Sequence, residues 1–158
     1  DLATLEALGG QEKGYRPGTE NLPAAIGLAA ALGAPKGWLG RIEGLREHLD
    51  KAIEGEGGEV VARDAERLAT IGAYRMPGVA ANAQLIQFDM AGIAVSAGSA
   101  CSSGSLKSSH VLKAMGWGEE AAGEVVRVSF GPQTKRADIY RFVEVWKRLH
   151  RDAKERAA

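Results

Sequence analysis

The sequence predicts an α/β domain in which a small sheet packs with several helices. Apolar residues recur every three or four positions over 38–53, which is the period of an amphipathic helix. Over 125–130, apolar residues at 126, 128 and 130 alternate instead with polar residues at 127 and 129, which is the period of a strand. The spacing of three or four returns near the C-terminus. We therefore expect both kinds of element to share one hydrophobic core.

The first helix is predicted over 21–32. Asn21 can accept a hydrogen bond from the first turn, and Pro23 stands where a missing N–H is tolerated. Gly33 and Pro35 end the apolar pattern. The second helix, over 38–53, follows directly after this break.

The period changes after the second helix, and short apolar or β-branched runs follow. They predict strands over 68–74, 83–88 and 93–96. Pro77-Gly78 and Ala91-Gly92 separate these runs as turns.

A short helix, a strand and a long helix complete the chain. The short helix is predicted over 110–115 and the strand over 125–130. In that strand Arg127 lies on the face opposite to Val126 and Val128. The last helix is expected to turn its large apolar residues inward, namely Ile139, Phe142, Val143, Trp146 and Leu149.

Composition limits the classes of function. The 158 residues include 20 basic and 20 acidic side chains, so no net charge favours nucleic acid or an anionic membrane as a partner. A single cysteine excludes an internal disulfide framework and a multi-cysteine metal site, and we predict no metal. No apolar run approaches the ~18 residues of a membrane span.

The surroundings of the lone cysteine direct attention to chemistry. Cys101 lies within 96–109, a stretch of serine, glycine and other small residues that buries little apolar surface. An exposed thiol is expected there, and its reactivity depends on its thiolate fraction. Lys107 and His110 are near in sequence and could influence it. These residues alone leave a reactive cysteine and an incidental exposed thiol equally open.

Three motifs resemble those of a known family. The first is the cysteine loop with the residues that follow it, in which 99–105 read S-A-C-S-S-G-S and 109–116 read S-H-V-L-K-A-M-G. Residues 9–21 read G-G-Q-E-K-G-Y-R-P-G-T-E-N, and 126–131 read V-R-V-S-F-G. Together they resemble NifS-type cysteine desulfurases, which are pyridoxal-phosphate (PLP) enzymes of the class V aminotransferase family with the type I PLP fold. The long serine-rich loop is similar to the subgroup that serves iron–sulfur cluster assembly or tRNA thiolation.

The resemblance implies a role for each matching residue. Cys101 matches the nucleophile that takes sulfur from L-cysteine as a persulfide and leaves L-alanine. Arg127 matches the arginine that holds the substrate carboxylate, for which a planar guanidinium is well suited. Thr19 matches a donor to the PLP phosphate of the partner subunit, and Gly18 allows close approach of the backbone. A structural ion pair for Arg127 and a turn or capping role for Thr19 remain alternatives.

The resemblance also implies an incomplete site. The family carries its Schiff-base lysine directly after a histidine, whereas the three histidines here precede Leu49, Val111 and Arg151. We therefore expect the C-terminal portion of a cysteine desulfurase that is inactive by itself. Residues 1–34 would belong to, or connect with, a large PLP domain, and 35–158 would form the small α/β domain with the cysteine loop.

The parent enzyme is expected to be a cytoplasmic homodimer that passes sulfur to an acceptor protein such as an iron–sulfur scaffold. Two alternatives stay open. A selenocysteine lyase would share the residues named above. A non-catalytic persulfide carrier or interaction module would accept sulfur on Cys101 from a separate enzyme and would need no PLP.

Overall fold

The computed structural model describes residues 11–14, 18–98 and 109–157. The chain divides after Lys36 into two compact units. In the first unit, a 3₁₀ turn spans Gln11–Gly14 and helix α1 spans Leu22–Gly33. The Asn21 side chain accepts a hydrogen bond from the Ala24 amide at 3.1 Å, so the predicted cap is confirmed. No residue of α1 is buried, although the helix carries no charged side chain.

The second unit holds the remaining helices and a four-stranded antiparallel sheet with the order β1-β2-β4-β3. The elements are α2 (Leu39–Gly55), β1 (Glu59–Val60), β2 (Ile71–Arg75), α3 (Ala81–Met90), β3 (Ser96–Ala97), α4 (His110–Ala114), α5 (Glu119–Ala122), β4 (Val125–Ser129) and α6 (Arg136–Ala157). The mixture of helices with a small sheet confirms the predicted fold class.

The register of β2 and β4 separates two faces of the sheet. Tyr74 pairs with Val126 and faces the main core, where both side chains are fully buried. Ala73 pairs with Arg127 on the opposite face. The predicted alternation along β4 is therefore confirmed, and Arg127 lies away from the main core.

Helices α2 and α6 cover the core face. The buried residues of α6 include all five that the helical spacing predicted to face inward: Ile139, Phe142, Val143, Trp146 and Leu149. Phe142 stacks on Phe88 of α3 with the ring centroids 4.6 Å apart. A smaller cluster on the other face contains Val61, Leu112, Ala122 and Val125.

The strand predicted over 83–88 is wrong, because these residues belong to α3. The helix buries Ala81, Gln84 and Phe88, which are spaced by three and four residues. The inward position at Gln84 is polar, and this interrupts the apolar helical period. Its Nε2 donates to the carbonyl oxygens of Val79 and Glu124, both at 2.7 Å, so the amide nitrogen is satisfied inside the core.

Candidate active site

A cleft of about 490 Å³ opens on the sheet face that carries Arg127. Its walls are mainly apolar, and its charged lining residues are two arginines. The lining residues are Val61, Ala62, Arg67, Leu68, Ile71, Ala73, Gly98, Ser109, His110, Val111, Leu112, Met115, Val125 and Arg127. Four of the apolar ones are exposed: Leu68, Ile71, Val111 and Met115.

Arg127 is held at the centre of the sheet. It pairs with Ala73 of β2 on one side and with Ser96 of β3 on the other. Its side chain is exposed, and no ion pair or side-chain hydrogen bond joins its guanidinium to another residue in the described part of the chain. The alternative of a structural ion pair for Arg127 finds no partner there. The guanidinium is therefore available to a ligand in the cleft.

The residues on either side of the cysteine segment line the same cleft. Gly98 follows β3 directly, and Ser109 directly precedes α4. The Ser109 hydroxyl accepts a hydrogen bond from the Leu112 amide at 3.4 Å and so caps α4. Cys101 and Lys107 lie outside the described residues, and Gly98 and Ser109 are the described residues that flank them. His110, the first residue of α4, is exposed at this wall.

The two residues predicted to contact the cofactor belong to the first unit, whereas the cleft belongs to the second. Gly18 has a φ of +85°, a conformation that favours glycine. Thr19 is exposed beside it. Arg16, in the same motif, lies outside the described residues.

A buried ionic cluster borders the cleft, and the sequence did not indicate it. Asp50 of α2 is fully buried and accepts hydrogen bonds from the Tyr74 hydroxyl at 2.9 Å and from Arg67 Nη2 at 2.6 Å. Nη1 of Arg46 and Nη1 of Arg63 lie 3.9 and 3.8 Å from the same carboxylate. Burial, and then the charge of Asp50, raises the pKa of Tyr74 well above its usual range. The hydroxyl therefore remains a donor to Asp50.

The comparison with known families decides the assignment. The family model for class V aminotransferases matches residues 3–142. This chain belongs to the class V aminotransferase family. The family is PLP-dependent in general, and the resemblance drawn from the three motifs is confirmed.

Relatives of this class V aminotransferase chain are cysteine desulfurases. It is 38% identical over 143 residues to the cysteine desulfurase of Gluconacetobacter diazotrophicus, an alignment that covers 87% of this chain and 36% of the relative. It is 37% identical over 142 residues to cysteine desulfurase IscS 1 of Archaeoglobus fulgidus, covering 87% of this chain and 37% of the relative. The chain thus spans between a third and two-fifths of the length of these relatives.

A solved structure agrees with the sequence relatives. The crystal structure of a NifS-like protein from Rickettsia africae superposes with a TM-score of 0.76 at 33% sequence identity. The superposition covers 95% of this chain and 40% of that protein. The described sheet and helices therefore have the arrangement found in a NifS-like protein.

The cleft of this class V aminotransferase chain supplies only part of what PLP requires. Its described lining contains arginines but neither a lysine that could hold the aldehyde nor a carboxylate that could pair with the pyridinium nitrogen.

The described residues contain no group of three or more acidic, histidine or cysteine side chains placed to bind a metal. None of the described helices is both long and apolar enough to cross a membrane. The charged side chains of the described lining, Arg67 and Arg127, are both cationic.

Proposed function

We propose that this chain is part of a PLP-dependent cysteine desulfurase that converts L-cysteine to L-alanine and leaves the sulfur as a persulfide on Cys101. One observation carries the proposal. Arg127 stands without a charged partner, within the described part of the chain, in a cleft that Gly98 and Ser109 also line, and these are the described residues that flank the segment with the only cysteine. The proposal places the carboxylate anchor and the sulfur nucleophile on one bound amino acid.

Arg127 would orient the substrate. Two parallel N–H donors of a guanidinium match the two oxygens of a carboxylate, which fixes the direction in which the rest of the amino acid points. The β-sheet around Arg127 supports this role, because its backbone pairs with strands on both sides.

Cys101 would perform the sulfur transfer. Its thiolate attacks the substrate sulfur, and a sulfur–sulfur bond forms while the carbon–sulfur bond breaks. The electron pair of the broken bond stays with the substrate carbon, which takes a proton and becomes the methyl group of alanine. PLP supplies the electron sink for the substrate carbon when it is bound.

The remaining parts of the active site would come from other segments and another subunit. Gly18 and Thr19 would contact the PLP phosphate of the partner subunit in a homodimer. The Schiff-base lysine would come from a large domain to which residues 1–34 belong or connect. Helix α1 supports that assignment, because a helix that is apolar all round is normally buried on several sides. By itself, the chain would then form no alanine.

The sulfur on Cys101 would pass to an acceptor protein in the cytoplasm. An iron–sulfur scaffold and the tRNA thiolation machinery are the two acceptors that the serine-rich loop favours. Support comes from the relatives named IscS and from Gly98 and Ser109, the described residues that flank the cysteine segment and line the cleft.

The test uses the longer protein that carries this chain, purified with PLP. Cys101→Ala is expected to keep the absorbance of bound PLP and to lose the formation of alanine from L-cysteine. Ser102→Ala, which alters the neighbouring position of the same segment, is the matched control and should retain turnover. Alanine formation by Cys101→Ala at the rate of the control would contradict the proposal.

Two further measurements separate the alternatives. A selenocysteine lyase would turn over L-selenocysteine far faster than L-cysteine. A carrier would acquire a persulfide on Cys101 from an unrelated desulfurase without PLP, and the longer protein would form no alanine.

A further inference from the structure

Asp50 carries a fully buried carboxylate that neither the sequence motifs nor the proposed function uses. It lies in α2 and accepts two hydrogen bonds, from the Tyr74 hydroxyl at 2.9 Å and from Arg67 Nη2 at 2.6 Å. Tyr74 belongs to β2, and Arg67 belongs to the connection between β1 and β2. One carboxylate therefore joins a helix, a strand of the sheet and the connection that leads into that strand.

This connection supplies one wall of the cleft. Four of its residues are among the lining residues: Val61, Ala62, Arg67 and Leu68. At the start of the segment 61–68, the Val61 amide donates to the Ala73 carbonyl oxygen of β2 at 2.9 Å. Near its end, the Arg67 guanidinium donates to Asp50. The segment 61–68 is therefore tethered at both ends, and the second tether leads to Asp50.

The segment 61–68 departs from the usual rules of stable structure at two places. Ala62 has a φ of +53°, in the left-handed region that residues other than glycine rarely adopt. Nη1 of Arg67 is buried and has no hydrogen-bond partner within the described part of the chain, although buried polar groups are almost always paired. A buried ion pair also adds little net stability, because desolvation offsets its attraction. Such local costs are expected where a fixed geometry serves a site.

The tethered segment adjoins the strand that faces Arg127. Val61 bonds to Ala73, and Ala73 lies opposite Arg127 in the register of β2 and β4. Side chains in this relation have their Cβ atoms about 5 Å apart. Because 61–68 and Arg127 line the same cleft, a displacement of the segment would change the width of the cleft in which Arg127 stands.

We propose that Asp50 is a positioning residue of the cleft, which through Arg67 holds 61–68 as a fixed wall. Asp50 is not among the described lining residues, so it acts on the cleft only through its partner. The consequence for L-cysteine rests on the proposed function, whereas the tether itself does not.

The experiment uses the longer protein with PLP and the double variant Asp50→Asn with Arg67→Met. The asparagine keeps an acceptor for the Tyr74 hydroxyl, and the methionine removes the guanidinium that would otherwise be left buried without its carboxylate. The variant therefore loses the tether between α2 and the segment 61–68 without leaving half of a buried ion pair behind.

Two measurements separate a positioning role from a general loss of stability. Hydrogen exchange of 61–68, followed by mass spectrometry, should become about tenfold faster, while exchange over α6 stays unchanged. The KM for L-cysteine should rise about tenfold with kcat within about twofold, because the wall beside the ligand moves while Cys101 and Arg127 are retained. Partial unfolding would instead lower kcat and leave KM unchanged.

Glu54→Gln is the matched control. Glu54 also lies in α2 and pairs with Arg63 of the same segment at 2.8 Å, but both side chains are partly exposed and neither is among the lining residues. Because an exposed ion pair contributes little, this variant should keep the exchange of 61–68 and the KM of the unchanged protein. If the double variant fails to fold, Arg67→Lys keeps a charge beside Asp50 and should move both measurements in the same direction, by about threefold.

Exchange of 61–68 at the rate of the Glu54→Gln control would overturn the inference, and so would faster exchange with an unchanged KM. The proposed function is tested separately, by the dependence of alanine formation on Cys101. If the unchanged longer protein formed no alanine, the proposed function would fail, and the exchange of 61–68 would still decide whether Asp50 anchors this wall.

Discussion

Ala73 of β2 lies directly opposite Arg127 of β4 in the antiparallel register. Side chains that oppose each other in such a pair have Cβ atoms about 5 Å apart and share one face of the sheet. The small methyl group of Ala73 therefore leaves the space beside the Arg127 guanidinium open. This relationship makes position 73 a place from which the ligand site can be altered without touching its arginine.

Ala73→Asp is expected to place a competing carboxylate beside Arg127. An opposite-charge cross-strand pair is worth up to ~1 kcal/mol, so the KM for L-cysteine of the longer protein should rise about fivefold. Steady-state alanine formation measures this change. Ala73→Asn has nearly the same size without the charge and should leave KM close to the original value. Equal KM values for the two variants would show that Arg127 does not hold the substrate.

Tyr74→Phe is expected to lower the free energy of unfolding at neutral pH. It removes a buried hydrogen bond to a carboxylate, which is worth about 1.5–3 kcal/mol. Urea unfolding followed by tryptophan fluorescence measures the change, because all three tryptophans lie in the second unit. An unchanged urea midpoint would contradict the contact between Tyr74 and Asp50.

The pH dependence of stability provides a separate prediction for Tyr74. Folding raises the pKa of its hydroxyl, so the unfolded chain loses this proton first as the pH rises past about 10. The folded state then binds more protons than the unfolded state, and stability falls as the pH increases. The fall should be shallower in Tyr74→Phe than in the unchanged chain, and equal slopes in the two proteins would contradict the raised pKa of this hydroxyl.

Gly72→Ala is expected to destabilise the second unit by about 1–3 kcal/mol, the usual cost of overpacking. A methyl group at Gly72 would overlap the phenol ring of Tyr74, which folds back over this position to reach Asp50. Gly44→Ala is the control, because a methyl group at this position in α2 would have no described heavy atom within 4 Å apart from the backbone of the helix itself, and it should stabilise the helix by about 0.5–1 kcal/mol. Urea midpoints that move in the same direction would contradict this account.

The sequence predicted the parts of the fold in which side-chain period and burial agree. Helix α6 and strand β4 follow their patterns closely, since their inward positions are apolar. Helix α3 was not predicted because its inward position Gln84 is polar and breaks the apolar period. Gln84 can be buried there because its amide donates to the carbonyl oxygens of Val79, outside the helix, and Glu124, distant in sequence. No local pattern can indicate acceptors that only the folded chain supplies.

The same reason explains what the sequence could and could not indicate about the cleft. Arg127 was found because a motif and a strand period coincide at this residue. Arg67 and Asp50 are 17 positions apart in the sequence. Asp50 follows Leu49 in a predicted amphipathic helix, where an aspartate is expected on the solvent-exposed face. The sequence signal for this cluster is the presence of three arginines, Arg46, Arg63 and Arg67, within 17 residues of Asp50. Cys101 was singled out by its neighbours, and its role stays a prediction.

The central place of β4 has a consequence for selectivity among amino acids. Because Arg127 is bonded through its backbone into both neighbouring strands, a ligand can be accommodated only by rotation of side chains and not by movement of the Cα atom. The backbone of Arg127 therefore gives up little conformational entropy when a ligand binds. Under the proposed function, the carboxylate of every amino acid would be held at the same place, and homocysteine, which is longer by one methylene, would present its sulfur about one carbon–carbon bond farther along the cleft than cysteine does.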